Sequence, residues 1–398
     1  MNFTKIKSAI LFFLFVLNFY SSQAKDDSCN LRISLLTCTR GEDLYSTWGH
    51  SAIRVTDFVS NTDVVYNYGT FNFEEPGFYM KFIRGTLLYY LSTEDFQSFQ
   101  YGYQFENRGI TEQVLNLSCR EKYNMLLLLK TNLLENNRYY KYDFTFDNCT
   151  TRLADLVEKS TDSTVIFGNV LRQPSTFRDL IYEYLNHNDK QWSKLGIDLL
   201  LGSRMDVYVT PQQSMFLPDY LMNTFDVSTV GGQPLIEEKL NLLTGGNTSP
   251  RYNIFSDPVF IFSLLFIFVV AGSFSKNEAV QKLLNALDGF LYFVTGLLGL
   301  VIIFMWTGTD HYMCKDNYNL LWAWPVNVLF AFYFNSKKYW MHIYFLTYSA
   351  FLFLLLVTWF WLPQHLNPAM MPILGIVIFR SFLFYKIYKT DESSQLAK

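Results

Sequence analysis

The hydrophobic pattern of the chain changes period near residue 257. Before it, apolar residues alternate with polar ones or recur at helical spacing. After it they form near-continuous stretches at 258–274, 287–306, 320–335, 340–362 and 371–387. In the first part, 31–36 reads as a short strand. From 50 to 55 the alternation sets His50, Ala52 and Arg54 on one face and Ser51, Ile53 and Val55 on the other. A polar turn over 56–63 leads to a second strand at 64–71 that pairs with the first. Residues 78–90 predict a short helix followed by a strand, 95–108 an aromatic helix, and 113–117 a strand. Ser118 and Glu121 have capping-box spacing before a helix over 123–134. Further helices are expected near 176–186 and 215–224, and the glycine pairs between 231 and 247 mark a hairpin or linker.

Between these elements, the aromatic and β-prone run 142–147 ends in Asp147-Asn148, and Cys149 opens a helical pattern that buries Leu153, Leu156 and Val157. Asp147 or Asn148 is placed to cap that helix. Its first-turn amides surround Cys149 with partial positive charge, which lowers a thiol pKa and supplies donors for an oxyanion. The plainer reading of Cys149 is a small core residue. Arg152 and Asp155 read as a surface ion pair. His50 follows Trp48-Gly49, where missing side-chain bulk leaves room for a substrate. A helix-opening Cys, a strand His and a polar residue on the next strand, Asn67 or else Tyr66, make a nucleophile, a base and an orienter.

The five later stretches are each close to the roughly 20 residues that cross a bilayer, with the first, third and fifth on the short side. If they alternate, Lys276, Lys282, Lys337, Lys338, Lys386 and Lys389 share one side, opposite Lys315 and the polar domain. The positive-inside rule then puts that domain in the periplasm and the tail in the cytoplasm. Residues 1–24 agree independently. Lys5 and Lys7, an apolar core and Ser22-Gln23-Ala24 have the layout of a secretory signal, and an uncleaved anchor would leave the domain on the same side. His311, Asn317, Asn319 and Gln364-His365 fall in loops facing the polar domain. Asp288 and Arg380 lie inside apolar runs, and snorkelling accounts for Arg380.

Composition fits this partition. Half the residues are hydrophobic, 18% aromatic and 17% charged, against about a quarter charged in soluble domains. A net charge of −3 gives nucleic acid no purchase. Five cysteines are too few for a disulfide scaffold, although Cys29 and Cys38 could pair. Metal-ligand spacings are missing, so neither a metal nor a cofactor is expected.

The order of His before Cys resembles the circularly permuted papain-like superfamily (NlpC/P60-like and lecithin:retinol acyltransferase-like), in which an Asn-Cys pair opens the catalytic helix. The blocks from Trp48 to Val55, from Tyr66 to Phe71 and from Asp147 to Arg152 more specifically resemble the Lnb family. So do Phe216-Leu217-Pro218 and Asp310-His311 followed by Asn317 and Asn319. One departure is Tyr312, where the family pattern expects Pro after the His.

The resemblance implies an α+β fold. A permuted papain-like periplasmic domain with a helical extension (25–250) precedes a five-helix transmembrane bundle (251–390) and a cytoplasmic tail (391–398). It implies a lipoprotein N-acyltransferase of the bacterial inner membrane. Cys149, His50 and Asn67 would be catalytic, with Asn148, Trp48, Ser51, Arg54, His311 and Asn319 at the substrate or oxyanion. The partners would be a phospholipid donor and a diacylated lipoprotein acceptor. The same dyad fits a membrane-tethered cysteine amidase or peptidase of cell-wall peptides, and a buried Cys149 would fit a non-enzymatic receptor or assembly factor.

Overall fold

A computed structural model describes residues 29–246, 252–333 and 339–396. The expected signal segment and Lys337 and Lys338 lie outside the described residues. The first part is built on β1 (Leu31–Cys38), β2 (His50–Asp57), β3 (Thr62–Thr70), α1 (Phe78–Arg84), β4 (Leu88–Asp95), α2 (Phe96–Phe105), β5 (Ile110–Leu115), α3 (Cys119–Asn132), β6 (Tyr139–Lys141) and α4 (Cys149–Ser160). After these come β7 (Val165–Ile166), α5 (Phe177–His187), α6 (Gln191–Leu200), α7 (Pro211–Ser214), α8 (Pro218–Asp226), β8 (Thr229–Val230), β9 (Gln233–Pro234) and β10 (Ile236–Leu243).

Seven strands form one sheet in the order β10-β5-β1-β2-β3-β4-β6, with antiparallel neighbours throughout. Helices cover both faces. Leu31, Ile33, Leu35, Ile53 and Val55 pack with Met125, Leu129, Leu153 and Val157 of α3 and α4. Leu36, Cys38, Ala52 and Val65 pack with Phe96 and Phe99 of α2. This two-sided burial explains why β1, which alternates over Leu31, Ile33 and Leu35, also carries apolar Leu36 and Cys38 on its other face.

The Ser118–Glu121 capping box forms as spaced, at the start of α3. Three local readings change. Residues 142–147 are a turn, not a strand, because the Asp143 carboxylate accepts from Thr145 N at 2.8 Å and Phe146 N at 3.0 Å. Arg152 pairs with Asp147, at 2.6 and 2.8 Å, and not with Asp155, which takes Lys159. Within 231–247, Gly231-Gly232 turns a small hairpin, but β10 then joins the main sheet on β5. Cys29 and Cys38 are separate thiols.

The C-terminal part contains α9 (Pro258–Ser273), α10 (Glu278–Thr307), α11 (Asn327–Tyr333), α12 (Tyr339–Thr358) and α13 (Met370–Leu396). Among the described residues, α10 and the segment Ile343–Trp361 are long and apolar enough to cross a membrane. The third apolar stretch is α-helical only over Asn327–Tyr333 among its described residues, and 322–326 are turn and irregular backbone. Its backbone lies against α10 so closely that a Cβ on Gly296 or Gly299 would overlap Val328 N or Ala323 O. Asn327 holds it there through Thr295, Tyr344 and Tyr348. Arg380 does not snorkel. It makes a buried ion pair with Asp288, with further bonds to Ser273 and Asn285. α13 continues to Leu396, so most of the expected tail is helical.

The two parts meet at a polar seam. Asn317 Nδ2 donates to the last carbonyls of α6, Leu199 O and Leu200 O, both at 3.0 Å. Buried Arg178 binds Asp198 and Asp206, and Asp198 also accepts from Asn367 at 2.8 Å. This network passes the position of α6 on to the membrane-side loops. Asn317 was expected to face the polar domain, but its partners on α6 and the Arg178 cluster were not legible in residue spacing.

Candidate active site

Cys149 is the first residue of α4, and Asn148 is its N-cap. Asn148 Oδ1 accepts from Thr150 N at 2.9 Å and Thr151 N at 3.0 Å. Its Nδ2 donates to Phe144 O at 2.7 Å and Phe216 O at 2.8 Å. One side chain thus starts the helix and ties it to both neighbouring loops. This gives Phe216-Leu217-Pro218 a structural purpose beyond a chain break.

His50 begins β2 at the end of the sheet nearest Cys149. Its Nε2 lies 3.1 Å from Asn67 Oδ1, and Asn67 Nδ2 donates to Glu94 Oε1 at 2.9 Å. Glu94 orients the amide so that its oxygen faces the imidazole. An oxygen can only accept, so Nε2 carries the proton and Nδ1 keeps the lone pair of a base. Burial lowers the His50 pKa to about 4, opposed by the Asn67 bond and helped by the Arg108 charge, so the ring is neutral.

Burial also raises the Cys149 thiol, against the pull of the backbone amides of Ser51, Thr150 and Cys149 itself. The helix N-terminus therefore does not produce the lowered thiol pKa expected from position alone. Desolvation wins, and the resting pair is thiol and neutral imidazole. Thr150 N is already held by Asn148, which leaves Cys149 N and Ser51 N as the amides free to meet an oxyanion. The β2–β3 ladder runs from Ile53↔Tyr66 to Asp57↔Thr62 and so stops short of Ser51. The Ser51 hydroxyl is buried and has no hydrogen-bond partner among the described residues.

Cys149, His50, Asn148, Trp48 and His311 line one cavity of about 750 Å³. Trp48 packs edge-on against Phe144, centroids 4.8 Å apart. His311 Nε2 donates to Phe82 O at 3.1 Å, and the loop residues Tyr312, Met313 and Cys314 complete that wall. The cavity is thus lined jointly by the sheet domain and a loop of the membrane part. Two expected residues are elsewhere. Arg54 is held by Asp63 and Glu112 and stacks on Phe96. Asn319 is buried at the seam, bonded to Asp198 O and Trp322 Nε1.

Glu94 and Arg108 were missed. Arg108 lines the cavity with Nε on Thr39 O at 2.9 Å and Nη1 on Glu106. Nothing in their local sequence marks either residue, because the bonds that aim them, from Glu94 to Asn67 and from Arg108 to Thr39, span 27 and 69 positions.

Family models match the chain in two places, the Lnb N-terminal periplasmic domain over residues 18–184 and the Lnb transmembrane domain over 250–391. The chain belongs to the Lnb family. Comparison with curated proteins and with solved structures returns no match. Lnb membership makes it a membrane protein with a periplasmic domain, in a lipoprotein N-acyltransferase-like family. The cavity lies where the two Lnb domains touch, while α6, α7, α8 and β10 fall wholly between the matched regions.

Proposed function

We propose that the protein is a lipoprotein N-acyltransferase with Cys149 as acyl carrier. His50 Nδ1 takes the thiol proton as Sγ attacks the ester carbonyl of a membrane phospholipid. The tetrahedral oxyanion meets Cys149 N and Ser51 N. The C–O bond breaks, His50 returns the proton to the leaving alkoxide, and a lysophospholipid departs. The α-amine of a diacylglyceryl-Cys lipoprotein then attacks the thioester. Its proton passes through His50 to the departing thiolate, which leaves an amide and a free thiol.

The observation that carries this reading is the shared cavity. Its nucleophile is walled by aromatic and aliphatic side chains from both domains, so water is displaced and lipid is favoured. A hydrolase of soluble peptides needs only an anchor, not a site completed by a membrane-side loop. In this reading the chain crosses the inner membrane five times, with the C-terminus in the cytoplasm. Cys149→Ala in a strain without other lipoprotein N-acyltransferases should leave lipoprotein N-termini with a free amine, as read by mass spectrometry. Normal N-acylation by that variant would sink the proposal.

A further inference from the structure

α1 is seven residues long, starts after Gly77 and stops at Gly85, both in the left-handed region. Its outward face is unusually apolar: Tyr79 is 76% exposed, Met80 57% and Ile83 44%. Two hydrogen bonds fix it to the membrane part. Asp310 N donates to Arg84 O at 2.9 Å, and His311 Nε2 to Phe82 O. These partners follow Thr307, the end of α10, by three and four residues. Beyond Asp288, α10 is free of charge to Trp306, about 27 Å of helix and close to a full hydrocarbon thickness. The end of α10, and with it α1, therefore sits at the level where a bilayer meets water. An apolar face carrying Tyr, with Arg84 exposed beside it, suits that level.

From α1 an aromatic path leads inward. Phe78 is 5.9 Å from Phe71, Phe71 is 5.2 Å from Tyr89, and Tyr89 stacks on Tyr142 at 4.4 Å, all between ring centroids. Tyr142 and the Cys149 Cβ flank the same point beside Gly69, which has no side chain to obstruct it. Phe82, half exposed on α1, also lines the cavity.

We infer that α1 is an interfacial helix seated in the periplasmic leaflet of the membrane, and that it is the portal through which a phospholipid acyl chain reaches Cys149. The portal half of this statement rests on the phospholipid-donor reading above, whereas the seating of α1 does not.

The first test uses the full-length protein in phosphatidylethanolamine and phosphatidylglycerol nanodiscs, with p-benzoylphenylalanine replacing Tyr79 or Ile83. Light should produce phospholipid adducts detectable by mass. The control replaces Phe58, equally exposed but in the turn at the far end of β2, about 26 Å from His50 by strand rise. Adduct yields at 79 and 83 should exceed that at 58 at least tenfold. Equal yields, or none at 79 and 83, overturn the seating. The second test compares Cys149 acylation by vesicle phospholipid with acylation by a short-chain p-nitrophenyl ester in solution. In Tyr79→Ser/Met80→Ser/Ile83→Ser the ratio of phospholipid to soluble-ester rate should fall at least tenfold. An unchanged ratio overturns the portal. A wild-type protein that reacts with the soluble ester and with no phospholipid contradicts the donor reading instead, and the photoadducts still decide where α1 sits.

Discussion

Asn67 Oδ1 receives the Nε2 proton of His50 across 3.1 Å, while the other end of the same amide is held by Glu94. The pair fixes the tautomer that leaves Nδ1 basic. Asn67→Ala should therefore lower the rate of Cys149 acylation about 10- to 100-fold, the range for losing a group that orients a histidine, with little change in KM. Glu94→Gln should cost less, because Gln can still bond the amide. Single-turnover acylation measures both. A wild-type rate in Asn67→Ala removes Asn67 from the site.

The pH dependence follows from the low His50 pKa. Its folded value of about 4 lies below the unfolded 6.5, so protons favour the unfolded chain between these limits. The stability contribution is complete above pH 6.5 and falls by about 3 kcal/mol as pH drops toward 4. The acid limb of kcat/KM for acylation should likewise lie well below pH 6.5. Asn67→Asp, by placing a carboxylate against the ring, should move it upward. A wild-type limb at 6.5 would contradict a buried neutral His50.

Asn148 does two jobs, and substitutions separate them. Asn148→Ala removes the cap, worth about 1 kcal/mol, and strands Phe144 O and Phe216 O at a further cost of about 1–3 kcal/mol. Asn148→Asp retains a capping oxygen but sets a carboxylate against two carbonyls. It should be destabilised too, although Asp is a good N-cap in general. Thermal unfolding in detergent gives the order. An Asp variant as stable as wild type would mean that the Nδ2 bonds contribute nothing.

The Asp288–Arg380 pair is expected to matter for stability and not for chemistry. Arg380→Ala leaves a buried carboxylate alone and should cost about 3–5 kcal/mol, whereas Asp288→Leu/Arg380→Met should recover most of it. Unfolding midpoints test this, and the folded fraction of each variant should acylate normally.

Features set by near neighbours were legible from the residues alone. Examples are the Ser118–Glu121 box, the Asn148–Cys149 helix start and the alternation that sets His50 and Asn67 on adjoining strands. What escaped depends on distant partners. The β10 strand exists because β5 offers an open edge, and Glu94 matters only through an amide 27 positions away. At 142–147 the strand propensity of the aromatics lost to local bonds from one Asp143 carboxylate. The third apolar stretch has the composition of a spanning helix, yet its contact with the glycines of α10 and its Trp324-Pro325 break confine its described α-helix to Asn327–Tyr333. The Cys149 thiol was misjudged because its position favours the thiolate while its burial, invisible in sequence, opposes it more strongly.

The most direct measurement is the mass of Cys149 after contact with substrate. Wild-type protein incubated with phospholipid vesicles and no acceptor, quenched in acid and digested, should carry a fatty-acyl group on the Cys149 peptide. Neutral hydroxylamine should release it, and a diacylated lipopeptide should discharge it as an N-acyl product. An unmodified thiol, or a peptidyl adduct formed from cell-wall fragments, would contradict the acyl-carrier role at the centre of the proposed function.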